Sequence, residues 1–129
     1  MLLDRKVGYY EYAGFHRQKL NGEITIKDGE TLAIVAEESV VNADGEKLYE
    51  YAVNTAPTEK TAEALETLQY GVAVVNKGES FLYEDGQWKD WTDALAEVEQ
   101  ESTGEGFSVK EAVAVDNFSI KAYVLRDAA

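Results

Sequence analysis

The sequence predicts a mainly β protein: an antiparallel β-sandwich, jelly-roll-like, with one or two short helices. Three observations predict it. Short stretches rich in Val, Ile, Tyr and Phe alternate apolar with polar residues, the period of a pleated strand with one covered face. Tight-turn dipeptides punctuate them at Asn21-Gly22, Asp28-Gly29, Asp44-Gly45 and Asp85-Gly86, where Gly accepts positive φ and Asn or Asp bonds its own backbone. Helical spacing appears in two places only, whereas a parallel α/β sheet needs a helix between most strands.

Taken in order, Val7–Tyr12 is rich in β-formers, with Tyr10 and Tyr12 on one face. Gly14–Leu20 continues as a strand after a Gly break. Asn21-Gly22 turns the chain into Glu23–Lys27, where Ile24 and Ile26 point one way. Leu32–Ala36 is apolar without alternation, the pattern of a strand covered on both sides. Leu48–Val53 resumes the alternation, and Pro57 ends it. Thr58–Gln69 then changes period: Ala62, Leu65 and Leu68 recur at helical spacing behind Thr58 as N-cap.

Gly71–Asn76 and Glu79–Tyr83 are expected to form the next pair. Gly78–Trp91 is the densest stretch. It holds a strand, the Asp85-Gly86 turn and both tryptophans, and reads as an aromatic clasp closing one end of the fold, with both indoles sealed inside. Trp91, Ala94, Leu95 and Val98 mark a second short helix. Glu99–Gly106 is polar and Gly-flanked, a mobile loop by composition. Phe107–Val115 and Phe118–Leu125 read as a closing hairpin turning at Asp116-Asn117.

The chain has 129 residues, the length of one ordinary domain, and is read as a single domain over 1–129. Its net charge of -13 argues against nucleic acid, which is held through Lys and Arg, and against anionic lipid. There are no cysteines, which excludes disulfides, thiolate catalysis and Cys-ligated metals. No apolar run is long enough to span a bilayer. The opening MLLDRK lacks the pattern of a signal peptide, so either a cytoplasmic protein or a piece of a longer one is expected.

Four segments come in a recognisable order: GYYEYAGFHRQKL, ITIKDGETLAIVAEE, KGESFLYEDGQWKDW and DNFSIKAYV. Together they resemble the lectin-like β-sandwich domain found beside papain-like (C1) peptidase domains in secreted and cell-surface bacterial proteins. The matching positions are Gly8–Leu20, Ile24–Glu37, Gly78–Trp91 and Asn117–Tyr123. The resemblance implies a non-catalytic accessory module, extracellular or at the cell surface, that adheres or positions a larger enzyme through a protein or glycan partner. The alternative is a free-standing carbohydrate- or small-ligand-binding sandwich. Domains of that family begin with further strands before the aromatic-Gly segment, so this chain looks shortened at its N-terminal side. An unpaired edge there predicts a homodimer that buries Val7–Tyr12. Thr58–Gln69 looks like added sequence, and it is the element expected to cover that edge otherwise.

Candidate chemistry centres on the clasp. Tyr83, Trp88 and Trp91, with Phe81, offer aromatic faces for stacking on a sugar, although aromatics at period two more often fill a core. Asp85, Asp90 and Asp93, with Glu84, offer carboxylates for calcium. Their spacing is not that of an EF-hand, and the plainer reading gives Asp85 to the turn and Asp90 to a helix cap. His16 is the single histidine and has no metal or acid–base partners at fixed spacing. Glu37 and Glu38 are adjacent in a strand, so they point to opposite faces and cannot flank one substrate. Ser39, Ser80 and Ser119 lack a nucleophile elbow. No enzyme is expected.

Overall fold

The computed structural model describes residues 1–66, 71–102 and 113–125, with the side chains of 98–102 left aside. The chain divides into two compact units, Met1–Ala33 and Ile34–Ala129.

In Met1–Ala33 the expected strands Val7–Tyr12, Gly14–Leu20 and Glu23–Lys27 are absent. Alternation describes side chains only. A strand exists when its N–H and C=O groups meet a partner, and no ladder pairs these segments. The unit is tied instead by a polar clamp. The Asp4 carboxylate accepts the Asn21 N–H at 2.8 Å and the Asn21 Nδ2 at 2.6 Å, and Lys6 Nζ donates to Asn21 Oδ1 at 3.0 Å. Asn21 thus closes a loop rather than a hairpin. His16 stacks on Tyr10 with centroids 3.8 Å apart, and one of its ring nitrogens, Nε2, lies 3.0 Å from the Tyr12 carbonyl.

Among the described residues of Ile34–Ala129 the framework is antiparallel strands with two helices. β1 (Glu38–Val41) pairs with β2 (Lys47–Glu50). β3 (Val53–Pro57) leads into α1 (Glu59–Ala64), and β4 (Phe81–Glu84) turns into β5 (Gln87–Asp90). α2 is Trp91–Ser102, and β6 (Val113–Phe118) returns to pair with β3. These make three two-stranded sheets, with no larger sheet and no closed barrel among the described residues. Leu32–Ala36 forms no strand, and Val35, expected to be covered, is 70% exposed. Gly71–Asn76 likewise carries no ladder.

The punctuation fares better. Pro57 closes β3, where a missing N–H is tolerated because a two-stranded sheet is all edge. Thr58 caps α1, its side chain accepting the Thr61 N–H. α1 ends at Ala64, with Glu66 in the left-handed region at φ 50°. The rest of the expected helix, 67–70, lies outside the described residues. α2 runs through Glu99–Ser102, which the composition assigns to a mobile loop. The remainder of that loop and the start of the Phe107–Val115 strand also lie outside the described residues.

The Asp116-Asn117 turn is corrected as well. Both residues lie inside β6, at the irregularity where they face the single residue Asn54 of β3, and the strand continues to Phe118. The register pairs Val53 with Phe118 and Thr55 with Val115, with an irregularity between Val53 and Thr55. The Ser119 N–H extends the pairing to the Ala52 carbonyl at 2.8 Å. Among the described residues the buried apolar side chains are Ala62, Ala73, Trp91 and Ala94, a small core. Again among those residues, no helix is long and apolar enough to cross a membrane.

Candidate functional site: the β4–β5 clasp

The hairpin forms where the sequence places it. Asp85 at φ 50° and Gly86 at φ 79° are the two central residues, both at positive φ as a two-residue turn of the favoured hand requires. The register sets Glu84 opposite Gln87, Tyr83 opposite Trp88, Leu82 opposite Lys89 and Phe81 opposite Asp90. Alternation puts Leu82 and Lys89 on one face and Phe81, Tyr83 and Trp88 on the other. The first face is fastened to α2, with Lys89 Nζ 2.6 Å from the Glu97 carboxylate. That bond holds the Lys89 ammonium above its ordinary pKa. The aromatic face is left open. Phe81, Tyr83 and Trp88 are all exposed, and the Tyr83 and Trp88 rings lie 5.1 Å apart.

The two tryptophans therefore separate. Trp91 is 5% exposed and Trp88 is 56% exposed, which corrects the expectation that both are sealed. Trp91 sits 4.8 Å from the Phe118 ring and 5.6 Å from Tyr51, which itself meets Phe118 edge-on at 5.3 Å. Its backbone N–H donates to the Ser80 carbonyl at 2.9 Å and its Nε1 to the Asp116 carbonyl at 3.2 Å. Of the three predicted sugar-stacking residues, Tyr83 and Trp88 are brought together in the open, and Trp91 is withdrawn into the core.

Asp90 is a hinge pin. Its Oδ2 accepts the Gly78 N–H at 2.7 Å, and its Oδ1 accepts the Thr92 N–H at 3.0 Å and the Thr92 hydroxyl at 2.6 Å. It thus caps α2 and ties the hairpin to the preceding turn. The Thr92 hydroxyl and the Gly78 N–H hold its carboxyl below the ordinary value. Asp93 faces Lys77 at 3.5 Å. Asp85 serves the turn. Among the described residues no three such side chains gather where they would hold a metal ion. Because Asp90 already accepts from Gly78 and Thr92 and Asp93 faces Lys77, millimolar calcium is expected to leave the melting temperature unchanged in differential scanning calorimetry, and a calcium-dependent rise would refute that.

Sequence reasoning missed Asn117, which holds the clasp to β6. The Ser80 hydroxyl donates to Asn117 Oδ1 at 2.5 Å, and Asn117 Nδ2 donates to Glu79 at 3.1 Å. Glu79 also accepts from the Asn76 side chain at 3.0 Å and the Asn76 N–H at 2.9 Å. The Asn76 side chain, first, then its backbone N–H and Asn117, hold the Glu79 carboxyl low. Nothing in the spacing signals this, because Asn117 meets Ser80 only through the return of β6.

The hairpin carries a depression of about 350 Å³, lined by Glu84 at the end of β4, Asp85 of the turn, the whole of β5, and Asp93. No family model, no curated protein and no solved structure matches this chain.

Proposed function

We propose that the chain is a non-catalytic interaction module of an extracellular or cell-surface bacterial protein, serving adhesion or the positioning of a peptidase-type enzyme. One observation carries the reading. The paired strands expose large apolar side chains, including Val40, Val41, Leu48 and Tyr49 on β1–β2 and Phe81, Tyr83 and Trp88 on β4–β5. Apolar surface of this kind, beside sheet edges that pair with no further strand among the described residues, is what partner-binding modules present. The resemblance to the lectin-like domain supplies the setting, and a sandwich-type layering of the hairpins belongs to the same proposal.

The test is binding of the labelled chain to bacterial cell surfaces. Saturable binding that protease treatment of the cells abolishes supports protein contact. Loss on periodate treatment instead favours the second reading, a carbohydrate-binding module, for which the exposed Tyr83–Trp88 pair is the specific observation. No saturable binding, together with turnover in a panel of peptide, ester and glycoside substrates, refutes both.

A homodimer through the N-terminal segment is part of the proposal. Val7, Tyr9, Tyr12 and Phe15 are all exposed, and a second copy is the occupant that removes them from water. Light scattering across concentration is expected to show a dimer that weakens on Tyr9→Ser with Phe15→Ser. A monodisperse monomer at high concentration refutes it.

A further inference from the structure

We propose that the outer edge of β5, which pairs with no strand among the described residues, takes an extended, Lys- or Arg-bearing segment of another protein as an added strand. This edge is the contact surface of the module proposed above, and the inference rests on that reading.

The depression follows an edge rather than a face. All four consecutive residues of β5 line it, both those pointing up and those pointing down, whereas of β4 only its last residue, Glu84, does. A groove with that lining runs along the side of β5 turned away from β4. The backbone phase agrees. In a hairpin with a two-residue turn the closing pair, Glu84 with Gln87, exchanges its hydrogen bonds, and bonded pairs then alternate. Leu82–Lys89 is the next bonded pair and Ser80–Trp91 the one after, where the Trp91 N–H does donate to Ser80. Trp88 and Asp90 fall between, so the N–H and C=O of Trp88 are directed into the groove. That is a template for one more strand.

The chemistry of the occupant follows from charge. Met1–Ala33 carries equal numbers of basic and acidic residues, so the whole net charge of -13 lies on the unit that holds the groove. Between Glu84 and Glu101 the sequence places seven carboxylates against one lysine. That lysine, Lys89, is already neutralised by Glu97 at 2.6 Å. Glu84 and Asp85 ring the groove together with Asp93, which also meets Lys77 at 3.5 Å, and the Trp88 indole offers a face on which a guanidinium or ammonium stacks. Strand addition supplies affinity through the backbone, and alternate basic side chains supply the match to the rim. A second copy is the poorer occupant, because pairing two β5 edges sets like carboxylates against one another.

The probe is a labelled synthetic peptide of alternating Lys and Val, about eight residues long, as an ordinary strand is. Fluorescence anisotropy with the intact chain is expected to show saturable binding that weakens about tenfold on raising the salt from low to well above physiological. Glu84→Gln with Asp85→Asn and Asp93→Asn is expected to weaken it tenfold or more, with the melting temperature kept. Asn at position 85 still accepts the left-handed backbone there. Trp88→Ala, an exposed position, is the second variant and is also expected to weaken binding. A peptide N-methylated at alternate residues is expected not to bind. Equal binding of the Glu-Val counterpart, full binding by the charge variant, or full binding of the methylated peptide overturns the proposal. So does self-association that the charge variant abolishes, which assigns the edge to a second copy. Absence of peptide binding by the unsubstituted chain, alongside saturable cell-surface binding, refutes this edge alone. Absence of both refutes the module.

Discussion

Replacing Trp91 with alanine is expected to lower stability by about 3–5 kcal/mol, the usual cost of emptying a buried aromatic site. The side chain is 5% exposed and packs against Tyr51 and Phe118. Its removal also takes away the Nε1 donor that now reaches the Asp116 carbonyl. Three elements meet at this ring: α2, which begins with it, the end of β6, and the segment between β2 and β3. Among the described residues the other buried apolar side chains are alanines, too small to fill the space the indole leaves. A domain of this size has about 5–15 kcal/mol in all, and the loss is therefore a large share of it. Urea unfolding followed by circular dichroism is the measurement. Trp91→Phe keeps the ring contacts and is expected to recover much of the midpoint, while Trp88→Ala, on the exposed side of the same hairpin, is expected to shift it little. Equal effects at the two tryptophans would show that the clasp has no inner side.

Acid is expected to loosen the clasp through Asp90 and Glu79. Both carboxyls are held below their ordinary values of 3.8 and 4.5 by the hydrogen bonds they accept. A depressed folded pKa means that the unfolded chain takes up protons first as pH falls. The contribution of these groups is complete above the ordinary values and is lost as pH drops through them toward the lower folded values. The urea midpoint is accordingly expected to stay level from neutral pH to about 5 and to fall below about 4.5. Asp90→Asn with Glu79→Gln is expected to lower the midpoint at neutral pH and flatten the acid limb. An unchanged acid limb in that variant would remove the two carboxylates from the explanation. Asp4 is also held low, chiefly by the Asn21 backbone N–H, and Asp4→Asn is the control that separates the N-terminal unit from the clasp.

The clasp was the most legible part of the sequence because its interactions are local. Asp85-Gly86 forces a two-residue turn, the turn fixes the register, and the register sets Tyr83 against Trp88. Thr58 and Asp90 act as caps for the same reason: a short side chain meets an N–H within three residues. The aromatic pattern did not tell the two tryptophans apart. Their environments differ because β6 passes over Trp91 from 25 residues away in sequence.

What the sequence determined by itself was the short-range structure: antiparallel hairpin geometry at Asp85-Gly86, the start of both helices, the end of β3 at Pro57, and the acidic surface. Only the tertiary structure decided which alternating segments became strands. Val7–Tyr12, Glu23–Lys27 and Leu32–Ala36 have the side chains of strands and no ladder, while Asp116-Asn117, a turn by composition, lies within β6 beside β3. The reason is physical. A turn or a cap is satisfied by atoms a few residues apart, whereas a strand needs backbone partners that local sequence neither contains nor names.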